Sequence, residues 1–205
     1  MIVTTLISRE QALDALYRAL TPISYLPMPV WEEATCYFSL KALPKGAHLF
    51  DIGDKVKDFY FLVEGLARYY YISESGKEFN KSFAEKPGHL LSSISSISMK
   101  DEVSPFGVET LSEFTVLFIS YEDFRALGAK HRAWNDLMLC IYERLIVKKE
   151  RREADFLLLS AKERYLKFLS DYSMIESAVA NYHIASYLGI TEVALSRIRK
   201  AMKLT

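Results

Sequence analysis

Between Phe38 and about residue 119 the chain passes through six short segments, FSLKAL, FYFLVEG, LARYYYIS, EFNKSFA, FGVETL and FTVLFIS, all rich in aromatic and β-branched residues. Such residues fit the pleated, half-buried surface of a sheet. Turn-formers separate the segments at Pro44-Lys45-Gly46, Asp51-Ile52-Gly53-Asp54, Ser75-Gly76-Lys77 and Lys86-Pro87-Gly88. Short strands at this spacing predict a barrel or jelly roll. From Tyr121 onward the β signal stops. Residues 132–158 instead carry Leu137, Ile141 and Leu145 at i, i+4 spacing, which predicts one long helix. Its second half, KKERREAD, is too charged to be buried and either meets water or lies beside a partner. Ser160 with Glu163 three residues on is a capping box, and a further helix is predicted over 161–171. The fold class read from this order is α+β, in three parts. A β-roll with an N-terminal helix covers 1–131, a connecting helix 132–158 and a smaller helical domain 159–205.

Composition narrows the function classes. With 205 residues, half of them hydrophobic, and 26 basic against 26 acidic side chains, this is an ordinary globular chain. A chain of that size buries about 70% of its unfolded surface without staples. Cys36 and Cys140 stand far apart with no CxxC, so no thiolate zinc site or four-cysteine cluster is available. His48, His89, His131 and His183 are scattered, which offers neither a haem pair nor a cupin metal set. There is no nucleophile elbow and no phosphate loop. No catalytic residue, metal or cofactor is expected, and the protein is read as a non-enzyme. The longest apolar runs fall short of the ~18 residues of a membrane span, so a cytoplasmic protein without a membrane partner is expected. The balanced total charge hides an asymmetry: residues 1–124 hold 11 basic and 17 acidic side chains, residues 125–205 hold 15 and 9. An acidic front and a basic back suit a sensor joined to a polyanion-binding module, although basic helices also occur as plain solvated surface.

The most informative stretch is the last, NYHIASYLGITEVALSRIRKAMKLT. A helix over 183–188 presents small Ala185 inward, Gly189 permits a tight turn, and Thr191 caps a second helix that is expected to run to Lys203. Leu195, Ile198 and Met202 form its buried stripe at i, i+3 and i+7. Thr191, Glu192, Val193, Ser196, Arg197, Arg199 and Lys200 are the DNA-contact candidates. In a major groove Arg197 suits a bidentate contact to guanine, Glu192 a cytosine amino group, Val193 a thymine methyl, and Lys200 a phosphate. The bland alternative is a helical hairpin with a polar face.

The succession of roll, long helix and helix-turn-helix resembles the Crp/Fnr family of bacterial transcription regulators. "LPKGAHLFDIGDKVKDFYFLVEGLARYYY" looks like the family's strand, glycine turn and strand pattern, "ESGKEF" like its next hairpin, "FTVLFISYEDFRAL" like the lead into its dimerisation helix, and "IASYLGITEVALSRIRK" like its helix-turn-helix. The resemblance implies a cyclic-nucleotide-binding-like roll, a homodimer joined along Leu137, Ile141 and Leu145, and DNA as partner. It also implies two recognition helices roughly 34 Å apart on a pseudo-palindrome. The departures are informative. Ser92-Ser93 stand where the family grips the ribose with Gly-Glu, and Ser104-Pro105 stand approximately where Arg-Ser hold the cyclic phosphate. Hydroxyls do not replace a charge-assisted arginine contact. Response to cyclic AMP is therefore not expected. If an effector exists, Ser92, Ser93, Ser95, Ser96, Ser98 and Ser104 would line its pocket, with Ile94 and Ile97 turned inward. A small neutral polar molecule suits such a lining better than a nucleotide. Glu192 and Val193 replace the family's usual arginine and glutamate, so the familiar half-site is not expected. Thr205 follows the recognition helix directly, so the family's β-wing is not expected. A roll that acts through protein partners, with a vestigial helix-turn-helix, is the alternative reading.

Overall fold

The computed structural model describes residues 7–172 and 175–202. It divides into two compact units, Met1–Tyr69 with Phe83–Arg144, and Tyr70–Ser82 with Leu145–Thr205.

In the first unit Ser8 and Gln11 cap each other's backbone at the start of α1 (Arg9–Leu20), satisfying two N–H groups that a helix start would otherwise leave without partners. Next comes α2 (Met28–Thr35). Eight strands follow: β1 (Ser39–Leu43), β2 (His48–Phe50), β3 (Asp58–Glu64), β4 (Ala67–Ile72), β5 (Glu78–Ala84), β6 (Leu90–Leu91), β7 (Gly107–Thr110) and β8 (Phe114–Ser120). They form two four-stranded sheets in the orders β1-β8-β3-β6 and β2-β7-β4-β5. In the first, β8 lies antiparallel between β1 and β3, so Leu117 faces Leu40 on one side and Phe61 on the other.

Alternation along β3 explains how both of its faces come to be buried. Tyr60 and Leu62 join Ala67, Tyr69, Leu91, Val108, Phe114 and Val116 inside the roll. Phe59 and Phe61 turn the other way. There Phe59 meets Phe124 of α4 (Tyr121–Lys130) edge-on at 5.1 Å, and Phe61 meets Phe38 at 6.1 Å. Trp134, at the start of α5 (Arg132–Leu158), closes this outer layer against Phe124 at 5.2 Å and Trp31 at 6.2 Å. The six expected strand segments are all present. Two very short strands, β2 and β6, and the helix α2 carry too little periodic signal to have been expected.

In the second unit the hairpin ends of β4 and β5 (Tyr70–Ser82) accompany the rest of α5, α6 (Ala161–Asp171), α7 (Asn181–Leu188) and α8 (Glu192–Ala201). The Ser160–Glu163 capping box opens α6 as expected. Aromatic rings make its core: Phe168 lies 5.5 Å from Tyr187, and Tyr172 packs edge-on to Tyr187 at 5.6 Å. Ile184, Ala185, Leu188 and Leu195 are buried with them. Helix α8 ends at Ala201; Lys203, its end as expected from the sequence, and Thr205 lie outside the described residues.

Candidate functional site

The turn between α7 and α8 is built by Gly189, whose backbone is left-handed at φ 69° and ψ 32°. Its N–H and that of Ile190 both return to the carbonyl of Ala185, which satisfies the helix end. Two residues later the Thr191 hydroxyl accepts the N–H of Ala194 at 3.2 Å and starts α8. Leu195 is fully buried, with Ile198 and Met202 half-buried beside it. That anchoring leaves Glu192, Val193, Ser196, Arg197 and Lys200 exposed along one side of the helix, with Thr191 exposed at its start. Val193 is 61% exposed, a large share for an aliphatic side chain facing water alone.

Arg199 does not join them. Its side chain is 13% exposed and turns inward. Nε donates to the Tyr165 hydroxyl at 2.9 Å, one terminal nitrogen donates to Asn181 Oδ1 at 2.6 Å, and the other pairs with Glu176 Oε1 at 2.9 Å. The reason is helical spacing: Arg199 lies four residues after Leu195 and shares its buried side.

Helix α7 is held by groups that no local signal announces. The Asn80 amide on the hairpin donates to the His183 carbonyl at 2.9 Å and stands 3.1 Å from His183 Nδ1, while the Asn80 N–H donates to the Ser186 hydroxyl at 2.8 Å. Arg152 lies 3.8 Å from the Tyr187 ring centroid and donates to the Tyr187 carbonyl at 2.9 Å. Next to Asn80, burial pushes the Lys81 ammonium down to about 8, and the like charge of Lys149 adds to the effect.

In the roll, the serine-rich stretch forms a short helix, α3 (Ile94–Ser98), between β6 and β7. The hydroxyls of Ser92, Ser93, Ser95, Ser96 and Ser104 are engaged within the chain. Ser92 donates to the Asp58 carbonyl at 2.8 Å and accepts the Tyr60 N–H. Ser96 accepts the Val56 N–H at 2.9 Å, and Ser104 donates to the Phe106 carbonyl at 2.7 Å. Ser93 and Ser95 lie 3.3 Å apart as a pair, and Ser98 is exposed. Ile97 packs on the roll's core; Ile94 is half-buried. The Lys55 ammonium donates to three backbone carbonyls of the following turn, those of Met99, Lys100 and Glu102, at 2.9, 3.1 and 2.7 Å. Inside the roll, the Phe106 ring lies tilted, 5.8 Å from both Phe50 and Tyr69, and Phe50 lies 6.3 Å from Tyr60. The nearly buried Arg68 pairs with Glu109 at 2.5 Å.

A family model described as the cyclic nucleotide-binding domain matches residues 40–131. Among solved structures, the chain is similar to the c-di-GMP-responsive global regulator CLP of Xanthomonas campestris, at 15% identity and a TM-score of 0.69 over 87% of this chain and 92% of that one. FixK2 of Bradyrhizobium japonicum gives 15% identity and a TM-score of 0.69 over 82% and 85%. A regulator assigned to the Crp/Fnr family from Eubacterium rectale gives 16% and 0.62 over 87% and 84%. The chain has the Crp/Fnr fold. Residues 40–131 carry the cyclic nucleotide-binding domain that the resemblance implied. No curated protein matches the chain in sequence.

The long helix of this Crp/Fnr fold turns the expected stripe inward. Leu137 is 0% and Ile141 5% exposed, both within the first unit, and Leu145 is half-buried. Trp134 and Met138 are buried on the same helix. The apolar residues of α5 left in water are instead Leu139, Ile146, Val147, Phe156, Leu157 and Leu158. The spacing rule detected an apolar face correctly but did not say that a second one existed. Among the described residues no helix is long and apolar enough to cross a membrane, and no three His, Cys, Asp or Glu side chains converge as metal ligands would.

Proposed function

We propose that the chain is a DNA-binding transcription regulator that binds a pseudo-palindromic site as a homodimer and does not respond to cyclic AMP. The observation that carries this reading is the exposed side of α8, where Glu192, Val193, Ser196, Arg197 and Lys200 stand clear of the chain's own packing. A helix anchored by Leu195 and presented by the Gly189 turn has the shape a major groove admits. Arg197 reads a base, Lys200 meets phosphate, and Glu192 and Val193 set a half-site preference. The role is regulatory rather than enzymatic, in keeping with the regulators that share the fold.

The dimer seam in this reading runs along the water-facing side of α5. At 100° per residue Leu139, Ile146 and Leu157 fall within about 20° of one another, while Leu137 and Ile141 lie about 160° from Leu139. A second copy covers the first stripe; the chain's own core already covers the other.

Selection from a random DNA pool tests the proposal. The wild-type protein should enrich a two-fold repeat with half-site centres about one duplex turn apart. Arg197→Ala should relax one base pair per half-site, at about 1–3 kcal/mol, whereas Lys200→Ala should weaken all sequences alike and reduce the salt slope. If nothing is enriched, the reading as a roll acting through protein partners replaces this one.

A further inference from the structure

We infer that Arg199 is a positioning residue that sets the orientation of the recognition helix, rather than one of the groups that touch DNA. The inference rests on the DNA-binding reading above. Its basis is the number of separate segments that one side chain ties together. Tyr165 belongs to α6, Glu176 to the segment between α6 and α7, and Asn181 to the first turn of α7; Arg199 reaches all three from the last turn of α8. Tyr165 closes the figure by donating its hydroxyl to Glu176 Oε1 at 3.0 Å.

The chemistry requires arginine. Guanidinium is a rigid planar fork with five N–H donors, and here three nitrogens pointing in different directions each meet an acceptor. A lysine ammonium keeps the charge but is one compact centre, which cannot reach acceptors spread around a fork. The Tyr165 ring is itself buried, so the oxygen it offers is fixed in place. Partial burial strengthens the ion pair with Glu176, and that partner leaves Arg199 no free charge for phosphate.

Leu195, with Ile198 and Met202 half-buried beside it, seats α8 by apolar packing, which is not directional and leaves the helix room to roll about its own axis. Arg199, one turn further along, supplies the polar contacts that resist that rotation. Arg197 and Lys200 flank it in sequence and point outward, so a roll of α8 displaces every reading group at once. Removal of a base-reading residue should blur one position of the operator, whereas removal of Arg199 should blur all of them together.

The test compares Arg199→Lys, Glu176→Gln and Arg197→Ala with the wild-type chain, each full length and checked for folding by circular dichroism. Binding to the selected operator and to random duplex is measured over a range of salt. For Arg199→Lys the ratio of specific to non-specific affinity should fall by about tenfold or more, with the loss spread over every half-site position and the non-specific salt slope unchanged. Glu176→Gln, which keeps the arginine, should give a milder version of the same spread loss. Arg197→Ala should lose one position only. A salt slope reduced by about one in Arg199→Lys would mean that Arg199 meets phosphate, and unchanged specificity in that variant would mean that it positions nothing; either result overturns the inference. A wild-type chain that selects no sequence rejects the DNA-binding reading instead. In that case amide exchange decides: faster exchange of α8 in Arg199→Lys than in wild type supports the positioning role without DNA, and equal exchange overturns it.

Discussion

Replacing two glycines by alanine separates backbone strain from collision, and the structure gives unequal magnitudes for the two. At Gly189 the backbone sits at φ +69°, and an added Cβ would lie 2.8 Å from Cε1 of the Phe156 ring. The left-handed conformation costs an alanine about 1 kcal/mol. Phe156 is 40% exposed, so its ring can swing aside for less than about 1 kcal/mol. The sum is about 2 kcal/mol. At Gly65 φ is +107°, and the new Cβ would lie 2.4 Å from the Glu113 carbonyl oxygen and 2.9 Å from the Phe114 Cα. Those are backbone atoms at the start of β8, which the sheet holds in register, so strain and overpacking add to about 4 kcal/mol or more. The chain's two tryptophans, Trp31 and Trp134, both lie in the first unit and provide a local probe. Urea titrations followed by tryptophan fluorescence and by circular dichroism should show Gly65→Ala shifting the fluorescence midpoint strongly. Gly189→Ala should act mainly on the dichroism of the helical second unit. In a Phe156→Ala background the cost of Gly189→Ala should fall to about 1 kcal/mol, the part owed to φ alone. Equal losses at the two glycines, or no loss at Gly189 in either background, would refute this division.

Three further outcomes are expected. Lys81 is held near 8 in the folded chain, below the ~10.4 of an unfolded lysine, so its contribution to stability is present above the higher value and lost as pH falls through 8. Denaturation midpoints should therefore rise between pH 8 and 10, and Lys81→Met should stabilise at pH 7 by up to about 3 kcal/mol with little effect above pH 10; a pH-independent difference would contradict the cause assigned. Leu139→Glu or Ile146→Glu should give a monomer by light scattering with the fold intact, whereas Leu137→Glu, at a fully buried position, should unfold the first unit. Titration calorimetry with cyclic AMP and cyclic GMP should show no heat at hundreds of micromolar, since a roll with neither a phosphate-gripping arginine nor a ribose-gripping glutamate forfeits at least ~3 kcal/mol, more than a hundredfold in affinity.

The parts of this molecule legible in the sequence are those governed by neighbours in the chain. The long helix over 132–158, the Ser160 capping box and the Gly189 turn each depend on residues within a few positions, and each lies where the pattern put it. Contacts between distant positions leave no such trace. Asn80 meets His183 across 103 residues, and Arg199 meets Tyr165 across 34. The inward turn of Arg199 was nonetheless available in principle, because Leu195 marks the buried side and Arg199 follows it by one turn. Charge drew it into the reading set, since a run of Arg197, Arg199 and Lys200 looks like a single basic face until helical phase is applied to each member.

The serine-rich loop shows the same limit in the middle of the chain. A buried hydroxyl needs a partner, and sequence alone does not say whether that partner is a ligand or the chain's own backbone. Here Ser92, Ser96 and Ser104 bond to backbone groups at Asp58, Val56 and Phe106, and Lys55 gathers three carbonyls of the turn that follows. Each of these contacts ties the loop to the roll by means internal to the chain. A cyclic phosphate entering the roll would meet hydroxyls already engaged and an arginine, Arg68, already neutralised by Glu109. It would also have to displace rings that are packed at 5.8 Å. Desolvating that anion without a counterion costs several kcal/mol, while the loop has nothing to gain in order from its arrival. The engagement of the serines thus has a plain physical reading: this loop is held in place by its own side chains and backbone.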